Sequence, residues 1–198
     1  MDLYAPKAGL VGALAPVVRR LAAAGVSPDA VTLAAVPVAA AGGACLLASP
    51  GLPALLLAVP FLAGLRLVLN LLDGALARST GRSHPRGEVF NEVGDRLADI
   101  ALLAPVAWLP GASPQVVLPG VIGAIMASYV GITTKAAGGR RLYRGVLSKP
   151  GRMLLLAGGA IGAYVYGPDV WAVFGVLLCI GVTLTFLERI VIAVRSLP

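Results

Sequence analysis

Asn70 and Asp73 stand three residues apart, and Asn91, Asp95 and Asp99 follow at steps of four, inside stretches otherwise apolar enough to enter a bilayer. At helical spacing the first two share one helix face, and the last three line one stripe of the next helix. A charged side chain within a membrane helix costs at least about 2.5–3.5 kcal/mol on insertion scales. Residues this costly are retained when they meet. Two such helices joined by a short basic loop read as the two halves of one oxygen-rich site.

The rest of the chain supports a membrane setting. Of 198 residues, 58% are hydrophobic and 13% charged, and the mean hydropathy is +0.89. That balance predicts an all-α integral membrane protein with several spans and one transmembrane domain over residues 1–198. The start, Met1 to Tyr4, has no basic run and no cleavage site before the first apolar stretch, so no signal peptide is expected. The net charge of +7 does not indicate a nucleic-acid partner. The positive residues flank apolar segments, as cytoplasmic loops do, and no basic patch is interleaved with aromatics. Cys45 and Cys179 lie inside apolar runs and read as small buried hydrophobes, not as a disulfide or metal pair.

Residues 1–26 read as an interfacial amphipathic helix, mildly apolar over 3–24 and interrupted by Pro6 and Pro16, with Lys7, Arg19 and Arg20. Residues 27–198 read as a bundle of six transmembrane helices. Ser27-Pro28-Asp29 is a helix start, with Ser27 as cap, Pro28 at the first position and Asp29 against the positive end of the dipole. The spans are expected over about 28–48, 53–79, 87–109, 115–137, 150–166 and 169–194. Loops near residues 50, 112 and 168 lack Lys and Arg, whereas those near 20, 82, 144 and 195 hold most of them. Both termini are therefore expected in the cytoplasm, with the polar cluster at the cytoplasmic ends of the second and third spans. Glycines inside the spans, Gly42, Gly43, Gly64, Gly123, Gly131, Gly158, Gly159, Gly162, Gly175 and Gly181, predict close helix packing.

The segment Asn70-Leu-Leu-Asp73-Gly74-Ala-Leu-Ala77-Arg78, eight residues, then Gly87-Glu-Val-Phe-Asn91-Glu-Val-Gly-Asp95 resembles the signature of the CDP-alcohol phosphotransferases. That signature is Asp-x-x-Asp-Gly-x-x-Ala-Arg, eight residues, then Gly-x-x-x-Asp-x-x-x-Asp. Asp73, Gly74, Ala77, Arg78, Gly87 and Asp95 match it, and the Ser-Pro-Asp-Ala-Val-Thr32 entry to the first span is similar too. Asn70 and Asn91 replace its first and third aspartates, a departure that resembles a branch of the family with Asn at both positions.

The resemblance implies an integral membrane enzyme of phospholipid synthesis. Such an enzyme moves a phosphatidyl-type group from a CDP-linked lipid such as CDP-diacylglycerol to a hydroxyl acceptor, with release of CMP. It also implies a homodimer and a divalent cofactor, Mg²⁺ or Mn²⁺. Attack on a pyrophosphate needs its charge masked, and hard cations with oxygen ligands do this. The expected metal ligands are Asp73, Asp95, Asn70 and Asn91. Asp95 is the expected catalytic base for the acceptor hydroxyl. Arg78 is expected on phosphate oxygens, with Gly74, Ala77 and Gly87 making room for the nucleotide and Thr32 helping to hold the cytidine. An amide oxygen binds a hard cation without adding charge, so a single tightly held ion is expected.

Around this site, Lys135, Arg140, Arg141, Arg144, Lys149 and Arg152 crowd one loop. They either hold that loop inside or form an anion pocket for a phosphorylated acceptor alcohol or the lipid phosphate, with Lys149 and Arg152 the strongest phosphate candidates. Arg66 is placed to pair with Asp73 or Asp99. Glu92 is expected to pair with Arg96 at i+4 rather than to bind metal, Glu188 with Arg189, and His84 to be solvated. A purely structural reading pairs Asp73 and Asp95 with Arg66, Arg78 or Arg96. Two further readings are a catalytically weakened homologue that binds CDP-lipid without turnover, and a small transporter. The transporter fits less well, because the polar cluster lies at one end of the spans and no internal repeat is visible.

Overall fold

The computed structural model describes residues 7–82 and 84–197. Tyr4, Pro6 and the rest of the predicted N-terminal start lie outside the described residues. Within them every regular element is a helix. Helix α1 spans Lys7–Ala23, α2 Pro28–Ala48, α3 Ala58–Thr80, α4 Pro85–Leu103, α5 Pro114–Ala136, α6 Lys149–Tyr166 and α7 Val170–Ser196. Short 3-10 turns, Pro53–Leu57 and Ala104–Trp108, lead into α3 and out of α4.

Local signals account for most boundaries. Ser27 caps α2, its hydroxyl oxygen accepting from the Ala30 N–H at 3.1 Å, with Pro28 at the first position. Gly81, in the left-handed region at φ 64°, ends α3. Pro16 does not interrupt α1, which runs through it.

Helix α2 packs against α3 and α4, α5 lies along α7, and α6 closes the bundle against α3 and α7. The main core joins Leu46, Leu102, Leu103, Val117, Leu156, Trp171, Phe174 and Leu178. A smaller cluster seats Val18 of α1 against Val31, Leu72 and Leu76. Large apolar side chains also point outward, among them Phe61, Tyr166 and Val194. Among the described residues four stretches are long and apolar enough to cross a bilayer: 28–48, 53–80, 114–136 and 170–196. Helices α4 and α6 are not among those four. Cys45 and Cys179 are free thiols on α2 and α7.

Close helix approach does explain most of the glycines. A Cβ at Gly43 would lie 2.1 Å from the Ala101 carbonyl oxygen of α4, and one at Gly123 would lie 2.7 Å from Val182 of α7. Gly64 and Gly158 are exceptions, since a Cβ there meets nothing within 4 Å. Because the obstacle at Gly43 is backbone, no rotamer change relieves it. Gly43→Val is expected to force α2 from α4 and cost about 3 kcal/mol, read as a lower unfolding midpoint of the detergent-solubilised protein. Gly158→Val is expected to leave that midpoint unchanged.

Candidate active site

The ends of α3 and α4 place the signature residues around two adjoining cavities. One, of about 390 Å³, is lined by Asn70, Asp95, Lys149 and Arg152. The other, of about 500 Å³, is lined by Thr32, Ala77 and Gly87. Asp73, Gly74, Arg78 and Asn91 line both. Every residue expected at the site therefore faces one of two joined spaces.

The two signature aspartates sit in different electrostatic settings. Asp73 receives only neutral donors: the Thr32 hydroxyl reaches Oδ2 at 2.8 Å, and the Gly74 N–H reaches Oδ1 at 2.5 Å. Among the described residues no Lys or Arg forms an ion pair with Asp73, which is nevertheless buried. Asp95 Oδ1 accepts from Asn70 Nδ2 at 2.6 Å and pairs with the Lys149 ammonium. Arg66 Nη2 lies 3.9 Å from that oxygen, and Arg96 Nη1 lies 4.0 Å from Oδ2.

The purely structural reading holds in part for Asp95, which Arg66 and Arg96 approach at 3.9 and 4.0 Å, but not for Asp73, and the close pairing falls on Asp99. Asp99 is wholly inside the bundle, with Arg66 Nη2 at 2.5 Å from Oδ1 and Arg152 Nη2 at 2.8 Å from Oδ2. Arg66 also donates to the Asp95 carbonyl at 3.1 Å. Arg152, expected as a phosphate ligand, thus lines the cavity while committed to Asp99. Glu92 pairs with Arg96 at 2.6 Å, as expected, and with Arg141 as well.

Several features exceeded the reach of sequence reasoning. His84 is not merely solvated. Its Nδ1 accepts from the Gly87 N–H at 2.9 Å, capping α4, and its Nε2 faces Asp29 at 3.3 Å. A Cβ on Gly87 would lie 2.9 Å from Asp29 Oδ1, so this glycine permits the contact between α4 and the start of α2. Arg189 turns into the bundle. It donates to the carbonyls of Ala127 at 2.6 Å, Tyr143 at 2.9 Å and Arg144 at 2.8 Å. Glu188 meets Arg144 at 3.1 Å. Arg189 thereby folds the 137–148 segment back over the cavity, where Arg141 and Tyr143 join the lining. The sequence signal for this is the Glu188-Arg189 pair interrupting an apolar stretch of α7.

The donor set fits a hard divalent cation. Two carboxylates and two carboxamides of α3 and α4 line the same cavity with oxygen donors of the kind such an ion takes, and the charge of Asp73 is buried without a cationic partner among the described residues. Among the described residues no group of three or more His, Cys, Asp or Glu converges, so the set carries little charge.

No protein-family model matches the chain. It is 30% identical over 192 residues to the phosphatidylinositol phosphate synthase of Mycolicibacterium smegmatis, covering 92% of this chain and 84% of that protein. The chain belongs to the CDP-alcohol phosphotransferase family. It is also 30% identical over 184 residues to the inner membrane protein YnbA of Escherichia coli K12, covering 90% of this chain and 91% of that protein. Its fold matches the crystal structure of Mycobacterium tuberculosis phosphatidylinositol phosphate synthase with CDP-DAG bound. The TM-score is 0.76 at 25% identity, and the match covers 91% of this chain and 93% of the other. Within this CDP-alcohol phosphotransferase, Asp99 is the anchor on which α3, α4 and α6 meet. Asp99→Leu is expected to leave two guanidinium groups buried against one another and to cost about 3–5 kcal/mol. Chemical denaturation of the purified protein measures this, and Arg66→Met in the same chain is expected to restore part of the loss.

Proposed function

We propose that this chain transfers a phosphatidyl-type group from CDP-diacylglycerol or a similar CDP-linked lipid to a hydroxyl acceptor and releases CMP. One observation carries the reading. Asp73, Asp95, Asn70, Asn91 and Arg78 surround joined cavities, the first of which is also lined by Lys149, Arg152, Arg141 and Arg189. The M. smegmatis relative and the CDP-DAG-bound M. tuberculosis enzyme support the same chemistry.

In this reading Thr32, Gly74, Ala77 and Gly87 receive the nucleotide in the larger cavity. Arg78, on the wall common to both, holds phosphate oxygens through its planar fork. Asp73, Asp95, Asn70 and Asn91 hold Mg²⁺ or Mn²⁺. The bound ion supplies charge neutralisation for the pyrophosphate. Asp95 accepts the proton of the acceptor hydroxyl as that oxygen bonds to the lipid-side phosphorus. The bond from this phosphorus to the CMP oxygen breaks, and CMP departs with the electron pair. The cationic wall favours an acceptor that itself carries a phosphate.

The topology belongs to the same proposal. Helices α2 to α7 form six spans with both termini and the cavity mouth on the cytoplasmic side, in accord with the charged loops. Helices α4 and α6 are the more polar spans because they face the cavity. The Asn70 and Asn91 pattern marks a branch of the family, and the functional unit is a homodimer.

A CMP-release screen tests the reading. Purified protein is given CDP-diacylglycerol, a divalent cation and a panel of phosphorylated and unphosphorylated alcohols. Cation-dependent CMP release is expected with at least one acceptor, and Asp95→Asn is expected to reduce it by about 10²–10⁴-fold. Binding of CDP-lipid without CMP release from any acceptor would instead identify a non-catalytic homologue. Calorimetric titration of the lipid-free protein is expected to show one tight divalent site. Two equally tight ions would contradict the reading of Asn70 and Asn91.

A further inference from the structure

We propose that Lys149 is a lock on Asp95 that a phosphate-bearing acceptor opens, so that the lipid group passes to that acceptor and not to water. The inference rests on the transferase reading above and concerns how the same site chooses its nucleophile.

Three observations carry it. First, the Lys149 ammonium pairs with Asp95 Oδ1, the oxygen that already accepts from Asn70 Nδ2 at 2.6 Å. A hydroxyl or a water that is to surrender its proton to Asp95 must hydrogen-bond to that carboxylate; the ammonium holds one of its oxygens, and the Arg96 guanidinium stands 4.0 Å from the other. Second, the neighbouring cations of the cavity wall are committed elsewhere. Arg152 is bound to Asp99, Arg96 and Arg141 to Glu92, and Arg189 to backbone carbonyls. Among the described residues Lys149 has only Asp95 as an ion-pair partner, and its side chain is 20% exposed to the cavity. Third, Lys149 opens α6 and reaches Asp95 on a flexible four-carbon stem, whereas Arg96 and Arg189 are each fixed by several bonds and Arg141 is held by Glu92 and the Tyr143 ring. It is the cation of this wall that can move without breaking a buried network.

A phosphate carrying nearly two negative charges attracts an ammonium more strongly than one carboxylate does at equal distance. An acceptor phosphate entering beside α6 therefore draws Lys149 from Asp95 as it brings the hydroxyl in. The proton then passes from the acceptor oxygen to Asp95, the new oxygen–phosphorus bond forms, and the bond to CMP breaks. With water in place of the acceptor the same exchange yields the lipid phosphate and CMP. The lock suppresses that reaction until the acceptor arrives.

The test measures CMP release from CDP-diacylglycerol by the full-length protein, with and without acceptor. Lys149→Met is expected to raise acceptor-free CMP release about tenfold while raising the KM for a phosphorylated acceptor. A merely structural defect lowers both reactions. Wild-type protein, which avoids any folding effect of the substitution, is expected to release CMP several-fold faster in acceptor-free buffer when inorganic phosphate is added. Transfer by wild type with unchanged or lower hydrolysis in Lys149→Met overturns the lock alone, and so does the absence of stimulation by phosphate. No CMP release by wild type with any acceptor overturns the transferase reading and the lock with it.

Discussion

The cavity hangs from the carboxylate of Asp99. It is 2% exposed, held between Arg66 of α3 at 0% and Arg152 of α6 at 1%, and so fastens three helices at one point. Away from water such a set persists only when each charge faces an opposite one. Arg66 does a second job, since it also donates to the carbonyl of Asp95 one turn up the same helix. The side chain that anchors α4 from beneath thus fixes the turn from which Asp95 projects. The chemistry proposed for Asp95 depends on a pair that touches no substrate.

Six charges of the site balance, apart from Arg78, Arg96, Arg141 and Arg189, which share the lining. Asp73, Asp95 and Asp99 are three carboxylates. Arg66, Lys149 and Arg152 are three buried or half-buried cations within the same cluster. The balance is uneven in space, however. All three cations gather on the α6 side, around Asp95 and Asp99, while Asp73 is left with a hydroxyl and a backbone N–H. Asp73 is therefore where an added divalent ion gains most, and the Lys149 side is where an added phosphate does.

The fold was legible where the signal was local. Apolar length, the Ser27 cap and the proline and glycine breaks located six of the seven helices to within a few residues, because each signal acts on its own stretch of backbone. The α3–α4 half of the site was legible for the same reason, since i to i+4 spacing decides which residues share a face. What spacing cannot reach is the partner across the bundle. Lys149 on Asp95 and Arg152 on Asp99 join residues more than fifty positions apart, and Arg189 binds the 137–148 segment over a similar distance. His84 escaped for another reason: a histidine cap looks like any loop histidine until the Gly87 N–H is seen to point at its ring.

The exchange of aspartate for asparagine at position 70 has a physical consequence in this arrangement. Asn70 Nδ2 lies 2.6 Å from Asp95 Oδ1 and donates to it. An aspartate there would set two carboxylate oxygens at hydrogen-bond distance in a poorly hydrated cleft. Such a pair holds together only by sharing a proton or by gripping a cation between them. The asparagine turns that repulsion into a hydrogen bond, so the α3–α4 contact no longer requires an ion at this point. Asn91 likewise lines both cavities without adding charge. The helices can then be joined before any cation binds, and the ion proposed at Asp73 would serve the substrate rather than the fold.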